Sequence, residues 1–215
     1  MVNDTQILNN GYPMPRLGLG VYKVTDEEME TAIQAALDDG YRAFDTAYFY
    51  NNEEALGKAL KNSGVPREDL FITTKLWNDH QGYDSTLEYF NRSLNNLGLE
   101  YIDLYLIHWP CEKNELYIET YKALEKLYEE GKIKAIGVCN FKVHHLEKLM
   151  RETNIVPQVN QIEVHPYFNQ QEVQDFCDKH DIVVTAWMPL MRNRGLLDDP
   201  TTVSYTHLTL PTNRV

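Results

Sequence analysis

The chain has 215 residues, enough for a substantial hydrophobic core, and a net charge of -12, which argues against nucleic acid or an anionic membrane surface as a bulk partner. Three widely spaced cysteines, Cys111, Cys139 and Cys177, make neither a disulfide framework nor a Cys-x-x-Cys zinc site, and fit a reducing, cytoplasmic setting. The polar start and the lack of any apolar run near the roughly 18 residues of a membrane span give no sign of export or insertion.

Residues 7–14 predict a hairpin turned by Asn10-Gly11 and placed as a lid. Residues 17–21 predict a short strand, and Thr25-Asp26-Glu27-Glu28 opens a helix as a capping box. Met29, Ile33, Ala36 and Leu37 share that helix's apolar face, and Gly40 stops it. The same unit then recurs. Strands are expected at 41–47, 70–75, 101–108, 135–140, 159–164 and 182–187. Between them lie helices at 53–61, around Leu87 to Leu97, around Tyr117 to Tyr128, at 143–151 and at 170–179, the last with an Asn169/Glu172 capping pair.

Seven strands alternating with six helices imply parallel pairing through right-handed crossovers. A doubly wound sheet and a (β/α)8 barrel both fit that alternation. No Gly-x-Gly-x-x-Gly follows the first strand, which favours the barrel. After Trp187 too little chain remains for another helix, strand and helix, so the barrel is expected to be incomplete, with its final βα unit missing. Residues 1–200 are assigned to this partial barrel domain. Residues 201–215 show neither helical period nor strand pattern, resemble translated adapter sequence, and are expected to be an irregular, non-native tail.

Barrel chemistry sits where strands end at the C-terminal rim. The residues collected there are Asp45 with Tyr50 in its loop, Lys75, His108, Asn140, Gln161 with Glu163, and Trp187. Singly, each has an ordinary structural role open to it. Together they describe a site in which an ammonium lowers the pKa of a phenol, a carboxylate keeps the ammonium charged, and an imidazole orients a carbonyl oxygen. Lys75 as a Schiff-base lysine remains an alternative that Asp45 disfavours. Glu163 and His165 with Asp45 and His108 lack the remaining ligands of a plausible metal set, so no metal is expected. His165-Pro166 is expected to shape a loop, and His144-His145 to lie on the surface.

The motifs Leu17-Gly18-Leu19-Gly20-Val21-Tyr22, Phe44-Asp45-Thr46-Ala47 with Tyr50, Ile72-Thr73-Thr74-Lys75-Leu76-Trp77 and Leu106-Ile107-His108-Trp109-Pro110 recur in order with Ile136-Gly137-Val138-Cys139-Asn140-Phe141 and Val159-Asn160-Gln161-Ile162-Glu163-Val164-His165-Pro166. This set resembles the aldo-keto reductase family, in particular its bacterial diketogluconate and glyoxal-type reductases. The resemblance implies an NADPH-dependent oxidoreductase, monomeric, that reduces small aldehydes or ketones. It makes Tyr50 the general acid, Lys75 and Asp45 its tuning pair, and His108 the residue that orients the carbonyl. Asn140 and Gln161 would hold the nicotinamide carboxamide, Trp187 would stack on its ring, and Cys139, Met188 and Leu190 would complete the cofactor wall. Tyr22, Trp77 and Trp109 would line the substrate pocket. Cys139 and Met188 replace serines common in the family, and the basic residues that grip the 2′-phosphate would lie in the missing region.

Overall fold

The computed structural model describes residues 4–113, 115–193 and 195–202. The expected tail, from residue 203 onward, lies outside them. The chain opens with an antiparallel hairpin, β1 (Thr5–Ile7) and β2 (Pro13–Pro15). Seven parallel strands follow in sequence order: β3 (Gly18–Gly20), β4 (Ala43–Asp45), β5 (Phe71–Leu76), β6 (Ile102–Ile107), β7 (Ile133–Cys139), β8 (Val159–Glu163) and β9 (Val183–Trp187). Helices α1 (Asp26–Asp38), α2 (Glu53–Asn62), α3 (Tyr83–Leu97), α4 (Tyr117–Glu129), α5 (Val143–Glu152) and α6 (Gln171–Lys179) make the crossovers. This is seven strands' worth of a (β/α)8 barrel, curled but with β3 and β9 unpaired to each other.

Strand alternation sorts the side chains. One parity, Phe44, Ile72, Leu76, Tyr105, Ile107, Ile136, Val138 and Ile162, packs outward on the helices. The other, Ala43, Phe71, Leu104, Leu106, Ala135, Cys139 and Val159, forms a second cluster inside the curl. The hairpin plugs the bottom of that interior, as its predicted role as a lid requires: Leu8 and Met14 join the inner cluster, while Asn9 Nδ2 and Asn10 Nδ2 donate to the carbonyls of Pro157 and Lys134 at 3.1 and 2.9 Å. Its turn is wider than a two-residue Asn-Gly turn. Leu8 O accepts from Gly11 N–H at 2.8 Å, and within this turn only Gly11 has positive φ.

Of the two expected helix caps, one holds and one shifts. At α1 the carboxylate of Glu28 accepts from Thr25 N–H as predicted, at 3.2 Å. At α6, Asn169 Oδ1 instead takes Gln171 N–H at 3.3 Å, and Gln170, with φ 49°, occupies the cap position because its side chain is drawn back to Glu163 O at 2.6 Å.

The inner layer has a strict size limit at β7. A Cβ on Gly137 would collide with the carbonyl oxygen of Val159 on β8 and lie 2.9 Å from Leu106 Cδ2 on β6. Gly137→Ala is expected to destabilise the fold by about 3 kcal/mol, read as a lowered denaturant midpoint, because neither backbone nor neighbouring strand can give way cheaply.

Candidate active site

The inward parity that builds the lower core also delivers the functional side chains one layer higher. Asp45 ends β4 two residues after Ala43, Lys75 is on β5 in step with Phe71, His108 follows β6 in step with Leu104 and Leu106, Cys139 ends β7, and Gln161 lies within β8 in step with Val159. Asp45, His108, Cys139 and Gln161 line a cleft of about 1460 Å³ that runs from the hairpin to the C-terminal rim, and Lys75 is buried behind its wall. Tyr50 arrives from the side, on a 3₁₀ turn (Tyr48–Tyr50) closed by Asn51 at φ 54°, a conformation asparagine tolerates well.

Lys75 is the innermost member, 1% exposed, with its ammonium on Asp45 Oδ1 and on Thr46 O at 2.9 Å. The other oxygen of Asp45 accepts from Gln161 Nε2 at 2.8 Å. The Lys75 ammonium lies 5.2 Å from the centre of the Tyr50 ring, and the Tyr50 and His108 rings meet edge to face at 5.8 Å. The four residues expected to act together therefore converge.

Their electrostatics correct one expectation. Burial of the Tyr50 phenol raises its pKa, and this outweighs the lowering by the Lys75 charge and hydrogen bond; Asp45 adds to the rise. Tyr50 thus holds its proton firmly at neutral pH instead of being shifted toward neutrality. Burial opposes the charge on Lys75, but Asp45 and then Tyr50 more than compensate, and its pKa rises. His108 is pushed down to about 3, by burial first and by Lys75 second, so it is a neutral imidazole. Its Nδ1 is buried without a partner.

This has a stability consequence. Between pH 6.5 and about 3 the unfolded chain binds a proton at His108 that the folded chain does not. Its contribution is therefore complete above 6.5 and is lost as pH falls through that window. His80 and His145 are also lowered by burial and act in the same direction. The expected result is a shallower loss of melting temperature from pH 6.5 to 4 for His108→Gln than for the parent; parallel curves would contradict it.

Asn140, at φ 62° just past β7, places its amide on the rim: Nδ2 donates to His108 O at 3.0 Å, and Oδ1 accepts from the Trp187 indole at 2.9 Å. Cys139 makes only a long thiol contact to Gln161 Oε1, at 3.9 Å. Tyr22 stacks at a tilt on Tyr50, 4.8 Å between centres, and Trp77 meets His108 edge to face at 5.2 Å. Trp109 and Met188 also line the cleft; Leu190 is 57% exposed and stands outside its wall. The sequence reading missed Phe49, which stacks on Trp77 at 3.8 Å, and the cations Lys23 and Arg192 around Tyr22. Phe49's neighbour Tyr50 was the available signal; Arg192 had none.

His165 pairs with Phe168 in a short bridge and so shapes its loop as expected. His145 does not lie on the surface. It is buried, its Nδ1 accepting from Lys142 N–H at 3.1 Å and its Nε2 facing Glu112 at 2.9 Å. The helix turns this ring inward and leaves His144 exposed. Glu112, His144 and His145 bring their ligand atoms within 4.8 Å of one another, but an Nδ1 that accepts from a backbone N–H puts the His145 proton on Nε2, the atom a metal would need.

The sequence model of the aldo/keto reductase family matches residues 15–208. The chain belongs to that family. Among curated members, the 9,11-endoperoxide prostaglandin H2 reductase of Trypanosoma cruzi is 53% identical over 184 residues, 85% of this chain and 64% of that protein. The glyoxal reductase of Bacillus subtilis is 52% identical over 199 residues, 92% of this chain and 71% of its own length. The crystal structure of a Gox0644 point mutant in complex with NADPH superposes with a TM-score of 0.89 at 41% identity, covering 97% of this chain and 76% of that one. This family member thus spans about two thirds of the length of these curated relatives. No helix among its described residues is long and apolar enough to cross a membrane.

Proposed function

We propose that the protein is a carbonyl reductase that takes NADPH as its reductant and small aldehydes or ketones, dicarbonyls such as glyoxal included, as substrates. The observation that carries this is the convergence of a protonated phenol, a neutral imidazole and a buried ammonium–carboxylate pair on one cleft. The NADPH complex of a relative and the named glyoxal reductase agree with it.

The rim fits a nicotinamide. Asn140 and Gln161 each use one amide hydrogen within the protein and keep another, with lone-pair capacity, for a carboxamide; Trp187 offers a flat face beside them. NADPH, when bound, supplies the hydride. The chain supplies orientation and a proton. A neutral His108 donates a hydrogen bond to the carbonyl oxygen without competing for its proton, and holds that oxygen beside Tyr50. As negative charge grows on the oxygen, Tyr50 O–H donates its proton, and Lys75 stabilises the phenolate left behind. Asp45 keeps Lys75 charged and in place, which is also why the Schiff-base reading is disfavoured: a protonated amine is no nucleophile. The aromatic walls formed by Tyr22, Phe49, Trp77 and Trp109 offer apolar surface to many small carbonyl compounds. The cytoplasmic and monomeric expectations stay part of this proposal.

The test is oxidation of NADPH by the chain with glyoxal, followed at the nicotinamide absorbance. Turnover that requires both components supports the reading. NADPH binding with no turnover on a panel of aldehydes and ketones would replace it with a non-catalytic binding role.

A further inference from the structure

The loop that carries Tyr50 is held from behind the sheet by two buried polar bridges. Asn52 and Glu53 follow the left-handed Asn51 and begin α2, and both are buried in the layer between strands and helices, 4% and 3% exposed. Asn52 Oδ1 accepts from Thr46 Oγ1 at 2.7 Å, and its Nδ2 donates to Val21 O at 2.9 Å. Glu53 Oε1 accepts from Thr74 Oγ1 at 2.7 Å, and its Oε2 accepts from Asn96 Nδ2 at 3.0 Å. Both threonines are fully buried and occupy the outward parity of their strands. Thr46 is the neighbour of Asp45, and Thr74 is the neighbour of Lys75.

A buried carboxylate is unfavourable unless something satisfies it. Among the described residues no cation forms an ion pair with Glu53; two neutral donors and the N-terminus of α2 hold it instead. Neither Asn52 nor Glu53 borders the cleft, so neither reaches a substrate or a cofactor. What they share is reach. Each starts within three residues of the phenol and ends on the residue adjoining one half of the charge pair.

We infer that Asn52 and Glu53 are positioning residues for the acid, fixing the Tyr50 loop to β4 and β5 so that the phenol keeps its distance from the Lys75 ammonium. The inference rests on the reading of Tyr50 as proton donor. Because α2 and the 3₁₀ turn are one continuous segment, loosening the bridge at Thr74 lets the turn drift relative to Lys75. The fold itself keeps the apolar face of α2, with Leu56, Ala59 and Leu60 still packed.

Thr74 gives a test in which packing and positioning predict opposite orders. Thr74→Val preserves volume and removes the hydroxyl donor; Thr74→Ser keeps the hydroxyl and removes a methyl group. Two readouts apply: kcat and KM for glyoxal with NADPH, and the Cζ resonance of Tyr50 in chain labelled with 13C-tyrosine, assigned by its loss in Tyr50→Phe. Positioning predicts that the valine variant shifts the Tyr50 resonance and lowers kcat about tenfold with little change in KM. It predicts that the serine variant matches the parent in both, even while melting lower. A serine variant that is impaired beside a valine variant that behaves like the parent overturns the inference. Should the unsubstituted chain fail to oxidise NADPH, the reductase reading falls, and the Tyr50 resonance alone decides the bridge.

Discussion

Tyr50→Phe is expected to lower glyoxal-dependent NADPH oxidation by at least about a hundredfold, the usual scale for removing a general acid, while leaving the affinity for NADPH close to that of the parent. The separation follows from where the hydroxyl sits. It faces His108 and the ammonium of Lys75, whereas the amides of Asn140 and Gln161 are fixed by His108 O and Asp45. Removing one oxygen leaves the ring, its stacking on Tyr22 and the cleft wall in place. Loss of kcat and of kcat/KM in equal measure would mark an interaction made only in the transition state. NADPH titration followed by tryptophan fluorescence checks the second half. A variant with near-normal turnover would move the acid role elsewhere, and His108, already neutral and unable to supply a proton cheaply, would be a poor heir.

Much of this was legible from the sequence because two periodicities coincide. The inward parity of a barrel strand is fixed by its apolar members, Ala43, Phe71, Leu104 and Ala135, and once these are placed, Asp45, Lys75, His108 and Cys139 must follow on the same face. Strand order followed from the barrel, in which parallel neighbours joined by helices fall into sequence order, and not from alternation alone, which a doubly wound sheet shares with its strand order reversed at a switch point. What escaped lies where side chains reach across elements instead of along them. The burial of His145 depends on the backbone N–H of Lys142 and on Glu112 from another loop. Helical spacing in 143–151 does separate the two, setting His145 four residues before the buried Leu149 and His144 four before Lys148, a signal that the surface assignment did not use.

The direction of the Tyr50 shift escaped for a related reason. The sequence shows that a lysine and a phenol share a rim, and a nearby ammonium lowers a phenol's pKa. It does not show how deeply the phenol is set among Tyr22, His108 and Cys139, and depth decides the sign. The charge pair can tune the acid only against that burial, which is why its integrity matters more than its presence.

That integrity should be markedly lopsided. The side chain of Lys75 is 1% exposed and that of Asp45 is 25% exposed. Asp45→Asn leaves an ammonium in the protein interior with only neutral acceptors, Thr46 O and the new amide oxygen, and no countercharge, and breaking a buried pair in this way is expected to destabilise by about 3–5 kcal/mol. Lys75→Met leaves a carboxylate that still accepts from Gln161 and still reaches water, so its loss should be smaller, about 1–3 kcal/mol. The double variant should then be more stable than Asp45→Asn alone, because the methionine removes the stranded charge. Urea denaturation of the three variants at pH 7 measures each term and their coupling. All three are expected to lose turnover, the two that carry Lys75→Met because the cation beside Tyr50 is gone, and Asp45→Asn because its ammonium has lost the carboxylate that holds it. Equal losses for the two single variants, or strict additivity in the double, would mean that Lys75 and Asp45 do not act as one unit, and the account of how Tyr50 parts with its proton would need another cation.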